Sequence, residues 1–329
     1  MRCEIRKESW AMRTPFRISG HVWDAAELVV VEISDENGAI GRGEACGVYY
    51  RNDTAPQIVE DLESIRREIE AGIDRAALQQ LLPACGARNA LDCALWELEA
   101  RRAGQPVWRL AGLSAPRPLL TTYTIGAADP AVMAAGAAAF VDARAIKLKL
   151  TGDGADAGRV AAVRAARPDV WLAVDANQGF TPATLHELLP TLLEAGVQLV
   201  EQPFPIGRES DMQGLALPIE VAADECVRVI EDLAPLVGLF DIVNIKLDKC
   251  GGLTHGLAMA AEARRLGFKV MVGNMTGTSW AQAPAFVIGQ SCDVVDLDGP
   301  LLLARDRTPG VVYEDGHVWC ADEVWGGAG

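Results

Sequence analysis

The sequence predicts a TIM-like (β/α) barrel that carries an α+β unit at its amino-terminal end. Three observations predict it. From about residue 118, eight short apolar runs alternate with stretches rich in Ala and Leu. The runs recur about every 22 to 28 residues, the length of one βα unit. Six of the eight end in charged residues set in otherwise apolar sequence, and strand ends carry the chemistry in such a barrel. A doubly wound sheet has fewer strands and a Gly-rich phosphate loop, and no GxGxxG follows residue 125.

Taken in order, residues 2–12 and 27–34 (ELVVVEIS) have strand character, and the turn DENG leads to a third strand, AIGRGEA. Residues 56–73 and 75–82 have helical spacing. Residues 87–103 (ARNALDCALWELEARRA) predict an amphipathic helix whose core face holds Leu91, Leu95, Trp96 and Leu98, with Gly104 and Pro106 ending it. Residues 1–115 are thus the α+β unit, and residues 116–304 the barrel. The eight runs are LLTTYTIG, AIKLKL, VWLAVDAN, QLVEQP, IEVAADE, IVNIKLDK, KVMVGN and VVDLDG. The segments between them are expected to be packing helices. The tail, 305–329, holds a strand-like VVY and an EDG turn and is expected to return to the first unit.

The 329 residues suit one barrel with a smaller companion, and half of them are hydrophobic, enough for a large core. A net charge of −15 without a Lys/Arg cluster excludes a nucleic-acid binder. Eight scattered cysteines form no CxxC pair and read as small buried hydrophobes in a reducing cytosol. The start of the chain lacks an apolar signal-like stretch, and no run approaches a membrane span. A cytoplasmic protein acting on a small molecule, without membrane or nucleic acid, is expected, with a homo-oligomer left open.

The charged strand ends are Lys147-Leu148-Lys149, Asp175-Ala176-Asn177, Glu201-Gln202-Pro203, Asp224-Glu225, Lys246 and Asp296-Leu297-Asp298. Strand residues two apart share a face, so Lys147 pairs with Lys149 and Asp296 with Asp298. Two lysines facing a barrel interior are costly unless anions or a function hold them. Asp175, Glu201 and Asp224 lie on three consecutive strands. Three converging carboxylates repel unless a cation sits between them, and an all-oxygen site with room for water suits Mg²⁺. Lys149 and Lys246, on strands half a turn apart, face each other across the mouth. A substrate carboxylate on the metal would hold its α-carbon between two amines. One lysine must be neutral to act as base, and the positive charge of Mg²⁺ and of Lys147 lowers its pKa. A base on each face gives racemisation or epimerisation.

These residues resemble the muconate-cycloisomerase branch of the enolase superfamily over nearly the whole chain, including a capping domain with Gly43-Glu44-Ala45. The resemblance implies a (β/α)7β barrel with an α+β capping domain. It implies that Lys149 and Lys246 are the acid/base pair, that Lys147 supports Lys149, that Asp175, Glu201 and Asp224 bind Mg²⁺, and that Asn177 stands behind them. Glu225 is either a supporting neighbour or faces outward. The DLDG at 296–299 looks like that of dipeptide epimerases. Strand 8 lies across from the metal, where Asp296 and Asp298 would receive a free α-ammonium. Thr122 and Thr124 match the family's pattern and are expected to bond the peptide. Where those epimerases carry an arginine after Pro-Phe, this chain has His21, with Arg17 and Arg51 as substitutes. An N-acyl amino acid racemase, a one-base cycloisomerase or syn-dehydratase, and a catalytically silent barrel are the alternatives.

Overall fold

The computed structural model describes residues 1–215 and 217–328. Three antiparallel strands open the chain: β1 (Arg2–Ile18), β2 (His21–Ser34) and β3 (Ile40–Ala45). β1 runs past the expected residue 12. A bulge between Ala11 and Phe16 lets pairing resume at Phe16↔Trp23 and continue to Ile18↔His21. A two-residue turn, Ser19-Gly20, closes the hairpin, with Gly20 at φ +75°. Along β2, Val29, Val31 and Ile33 face the helices of the cap, whereas Ala26 and Leu28 pack on Met12 and Leu303.

The cap helices are α1 (Ala55–Ser64), α2 (Arg66–Ala71), α3 (Arg75–Leu81) and α4 (Gly86–Ala103), followed by the short α5 (Val107–Leu110). The single helix expected over 56–73 is two, because Ile65 leaves helical geometry at φ −113°, ψ 16°. α4 is buried on nearly every side. Leu91, Leu95 and Leu98 enter the cap core, and Cys93 and Trp96 enter the barrel core.

The barrel strands are β5 (Thr122–Ile125), β6 (Ala145–Lys149), β7 (Trp171–Asp175), β8 (Val197–Glu201), β9 (Glu220–Ala223), β10 (Ile242–Lys246), β11 (Lys269–Gly273) and β12 (Val294–Asp296). They pair in sequence order, all parallel. The first expected strand run splits in two. Its start is β4 (Leu119–Leu120), which leaves the barrel to pair with the tail hairpin of β13 (Val312–Glu314) and β14 (His317–Trp319). The end of the tail reaches the cap, where Trp325 donates to the Arg42 carbonyl at 2.7 Å.

Outside the strands lie α6 (Pro130–Ala139), α7 (Asp156–Ala166), α8 (Pro182–Glu194), α9 (Leu247–Cys250), α10 (Leu253–Arg265), α11 (Ser279–Gly289) and α12 (Gly299–Leu302). Among the described residues, the connections after β8 and β9 hold only 3₁₀ turns, at Glu209–Met212, Ile230–Asp232 and Ala234–Leu236. The helices expected there are interrupted by Pro203, Pro205, Pro218 and Pro235.

Inside the barrel, Ala173, Leu199, Ala222, Ile242 and Met271 form an apolar floor. Two residues farther along the same strands come Asp175, Glu201, Asp224, Asn244 and Gly273. The strand period therefore aims the polar set inward, directly above the floor. All eight cysteines are free. No helix among the described residues is long and apolar enough to cross a membrane.

Candidate active site

Asp175, Glu201 and Asp224 each offer one carboxylate oxygen, all within 4.8 Å of one another and all buried. Register explains the meeting: Lys149, Asp175 and Glu201 are directly paired across β6, β7 and β8. Each carboxylate is held on both oxygens. Asp175 accepts from the Asn177 amide at 2.8 Å and from Lys149 at 2.6 Å. Glu201 accepts from Asn244 Nδ2 at 2.7 Å and from Lys147 at 3.2 Å. Asp224 accepts from Lys249 at 2.5 Å and from Lys246 at 2.7 Å.

The electrostatics follow from burial and these pairs. Burial and the neighbouring Asp175 push the Glu201 carboxyl up to about 7. Burial also acts on Asp224, but the Lys246 and Lys249 ammoniums hold it well below the carboxylate range. Glu225 is pushed up to about 8 by burial and by Asp224. Its Oε1 accepts from Asn177 Nδ2 at 3.0 Å, and its Oε2 has no hydrogen-bond partner. Four lysines (147, 149, 246 and 249) are buried with six carboxylates (175, 201, 224, 225, 296 and 298). Three converging carboxylate oxygens repel one another unless a cation lies between them, and an all-carboxylate donor set suits a hard divalent one.

Backbone strain gathers at the same strand ends. Asn177, Gln178 and Gln202 have φ of 41°, 67° and 33°. Such conformations cost roughly 1–3 kcal/mol each and persist only where surrounding bonds enforce them. Here the Gln202 side chain accepts from the Asp224 and Cys226 amides at 2.9 and 3.3 Å.

A cavity of about 450 Å³ opens above the site, between barrel and cap. Lys149, Lys246, Asp224, Glu225 and Asn177 line its floor, and Phe16, Ile18, Trp23, Tyr49 and Tyr50 line its capping wall. Phe16 and Ile18 both face it, so Arg17 between them points to the opposite face and is exposed. His21 stacks on Trp23 at 5.4 Å and meets Tyr49 edge-on at 4.5 Å. Arg51 is exposed, its Nη2 3.5 Å from the Glu225 carbonyl. No arginine lines the cavity among the described residues.

Asp296, Asp298, Thr122 and Thr124 come together at the seam where β12 meets β5. Asp296 accepts from Thr122 Oγ1 and from Lys147. Asp298 accepts from the Thr124 amide at 2.6 Å. Burial raises Asp296, but Lys147 draws it below the carboxylate range, while burial and Asp296 push Asp298 up to about 6.

Reading the sequence missed four groups. Lys249 lies three residues after Lys246, a spacing that one helical turn brings back to the same strand end. Asn244 sits two residues before Lys246, on the inward face. The amide of Gln202 ties β8 to β9. Asp248 accepts from the Cys46 and Gly47 amides at 3.0 and 3.1 Å, fastening the capping loop to the barrel. Nothing local marked Asp248, because its partners are 201 and 202 residues away in sequence.

The chain is similar to known proteins along its full length. Residues 1–112 match the mandelate racemase / muconate lactonizing enzyme N-terminal domain, and residues 132–324 match the enolase C-terminal domain-like family. It is 38% identical to the L-Ala-D/L-Glu epimerase of Escherichia coli over 96% of this chain and 98% of that one. A crystal structure of an enolase family member from Agrobacterium tumefaciens, with homology to dipeptide epimerases and holding sodium and L-Ala-L-Glu, superposes with TM-score 0.95 at 40% identity, covering 98% of this chain and 99% of that one. The dipeptide epimerase of Methylococcus capsulatus, complexed with Mg and L-Arg-D-Lys, superposes with TM-score 0.89 at 29% identity, covering 97% and 96%. The chain belongs to the mandelate racemase and muconate lactonizing enzyme family of the enolase superfamily, as an isomerase of the epimerase and racemase class.

Proposed function

We propose that this isomerase is a Mg²⁺-dependent dipeptide epimerase that inverts the carbon α to the substrate's carboxylate by passing a proton between Lys149 and Lys246. One observation carries the reading. Two buried lysines reach the floor of one cavity from strands on either side of the carboxylate triad. Asp175, Glu201 and Asp224 would hold Mg²⁺. When bound, the cation supplies the positive charge that stabilises the negative charge spreading into the substrate carboxylate as the α-proton leaves.

The chain's own groups do the rest. One lysine, as the neutral amine, takes the α-proton: the C–H bond breaks and an N–H bond forms. The other, as ammonium, gives its proton to the opposite face of the same carbon. The lysines' roles exchange for the opposite direction. Burial lowers the Lys246 ammonium, but Asp224, Glu201, Glu225 and Asp175 outweigh burial and hold it well above the ordinary lysine value. Lys147 lies between Glu201 and Asp296 and adds fixed positive charge behind Lys149. The aromatic capping wall excludes water from the reacting carbon.

A second reading is favoured by the seam. Asp296 is engaged by Lys147 and Thr122, and Asp298 by the Thr124 amide. A substrate with an acylated amino group would leave these pairs untouched, which suits N-acyl amino acid racemisation. Incubation in D₂O with Mg²⁺, over a set of dipeptides and a set of N-acyl amino acids, separates the two. Deuterium is expected at the α-carbon of the carboxyl-terminal residue of dipeptides. Exchange in N-acyl amino acids alone selects the second reading, and exchange in neither set sinks both.

A further inference from the structure

We propose that Lys249 is a positioning residue that makes Asp224 a one-oxygen ligand and thereby favours Mg²⁺ over the larger Ca²⁺. This rests on the metal reading above. Lys249 follows Lys246 by three residues on α9, so the turn delivers both ammoniums to one carboxylate from two sides. Lys246 takes Oδ2 at 2.7 Å and Lys249 takes Oδ1 at 2.5 Å. The two lysines differ in what else they meet. Lys249 is 1% exposed and does not line the cavity, whereas Lys246 does. Besides Oδ1, Lys249 donates to the Asp224 carbonyl at 2.5 Å and the Asn244 carbonyl at 3.0 Å. Its three N–H groups therefore have three protein acceptors, and none remains for a substrate.

The same pattern recurs around the triad. Asp175 Oδ1 is taken by the Asn177 amide, Glu201 Oε1 by Asn244 Nδ2, and Asp224 Oδ1 by Lys249. Each carboxylate thus has one oxygen held by these groups, and its other oxygen faces Lys149, Lys147 or Lys246 respectively. Lys249 also fixes the backbone of Asn244, whose side chain orients Glu201, so it bears on two of the three ligands. Mg²⁺ keeps near-octahedral geometry with waters and one-oxygen carboxylates, whereas Ca²⁺ takes more oxygens and accepts two from one carboxylate. Loss of Lys249 frees Asp224 Oδ1, so that it can join Oδ2, the oxygen facing Lys246, on a larger cation.

The test is calorimetric titration of wild type and Lys249→Met with Mg²⁺ and with Ca²⁺. The two cations carry equal charge, so the lost ammonium's repulsion cancels in the ratio of their Kd values. The ratio is expected to shift toward Ca²⁺ by about tenfold or more, and Lys249→Arg, which keeps the cation, is expected to restore most of it. An unchanged ratio in a folded Lys249→Met overturns the proposal. Should that variant not fold, infrared spectra of the Mg²⁺-loaded wild type decide, with ¹³C-labelled aspartate: one-oxygen carboxylate splitting is expected, and a two-oxygen signature for Asp224 overturns it. Failure of the wild type to bind either cation would instead sink the metal reading itself.

Discussion

Lys149 and Lys246 stand apart from Lys147 and Lys249 in one respect: they line the cavity and the other two do not. A lysine that can reach solvent can exchange its proton. One enclosed among carboxylates serves as a fixed charge. Lys149→Met and Lys246→Met are each expected to lower epimerisation about 100- to 10,000-fold, the usual contribution of an acid or base. Each should still wash deuterium from D₂O into substrate of one configuration, and the configuration should be opposite in the two variants. Mass spectrometry of the separated diastereomers reads this, and loss of exchange from both configurations in both variants would refute a two-base scheme. At this scale much was legible, because charge at an apolar strand end is a local signal. The partner of Asp296 was not legible. Lys147 lies 149 residues away and meets it only because the barrel closes.

At the scale of elements, α4 and β3 decide how the cap sits. Spacing along α4 predicted its apolar face, with Leu91, Leu95 and Leu98 on it. It did not predict that the polar residues are buried too, because an amphipathic pattern assigns them to water. In the structure they face other elements. Arg88 donates to the Gly251 carbonyl at 3.1 Å, and Asp92 accepts from the Thr254 amide at 2.9 Å. β3 approaches so closely that a Cβ on Gly43 would lie 1.9 Å from the Ala90 carbonyl oxygen. Gly43→Ala is therefore expected to destabilise by about 1–3 kcal/mol or more, the range for overpacking, seen as a lower Tm. Asp248 on α9 latches the capping loop. Burial pushes its carboxyl up to about 7 from an ordinary 3.8. The folded state then binds a proton between about pH 4 and 7 that the unfolded state does not. Stability at Asp248 falls as pH rises through that window and is flat above it, by at most about 1.4 kcal/mol per pH unit. Asp248→Asn keeps an oxygen for both amides and should remove this slope from denaturant melts between pH 4 and 7. An identical slope in the variant would contradict the assignment.

Across the whole molecule, Arg307 ties the tail to both domains. It donates to Glu44 of β3 at 2.7 Å, to Glu8 of β1 at 2.8 Å and to Thr278, at the start of α11, at 2.6 Å, and it lies 3.8 Å over the Trp280 ring. Glu44 is fully enclosed, and burial raises its carboxyl despite the guanidinium. Arg307→Ala would leave that carboxylate unpaired, which typically costs about 3–5 kcal/mol. A single unfolding transition at lower denaturant is expected, and an unchanged midpoint would show that the three-way tie is dispensable. The sequence by itself determined the eightfold rhythm of strands, the inward side of each, and the lysines and carboxylates that end them. These follow from a two-residue period and a repeat of fixed length, both local. The tertiary structure alone decided which groups meet: Lys249 with Asp224, Asp296 with Lys147, Asp248 with the capping loop, and an aromatic wall where an arginine was expected. Those contacts depend on ring closure and on how the cap docks, and both bring together residues that no spacing along the chain relates.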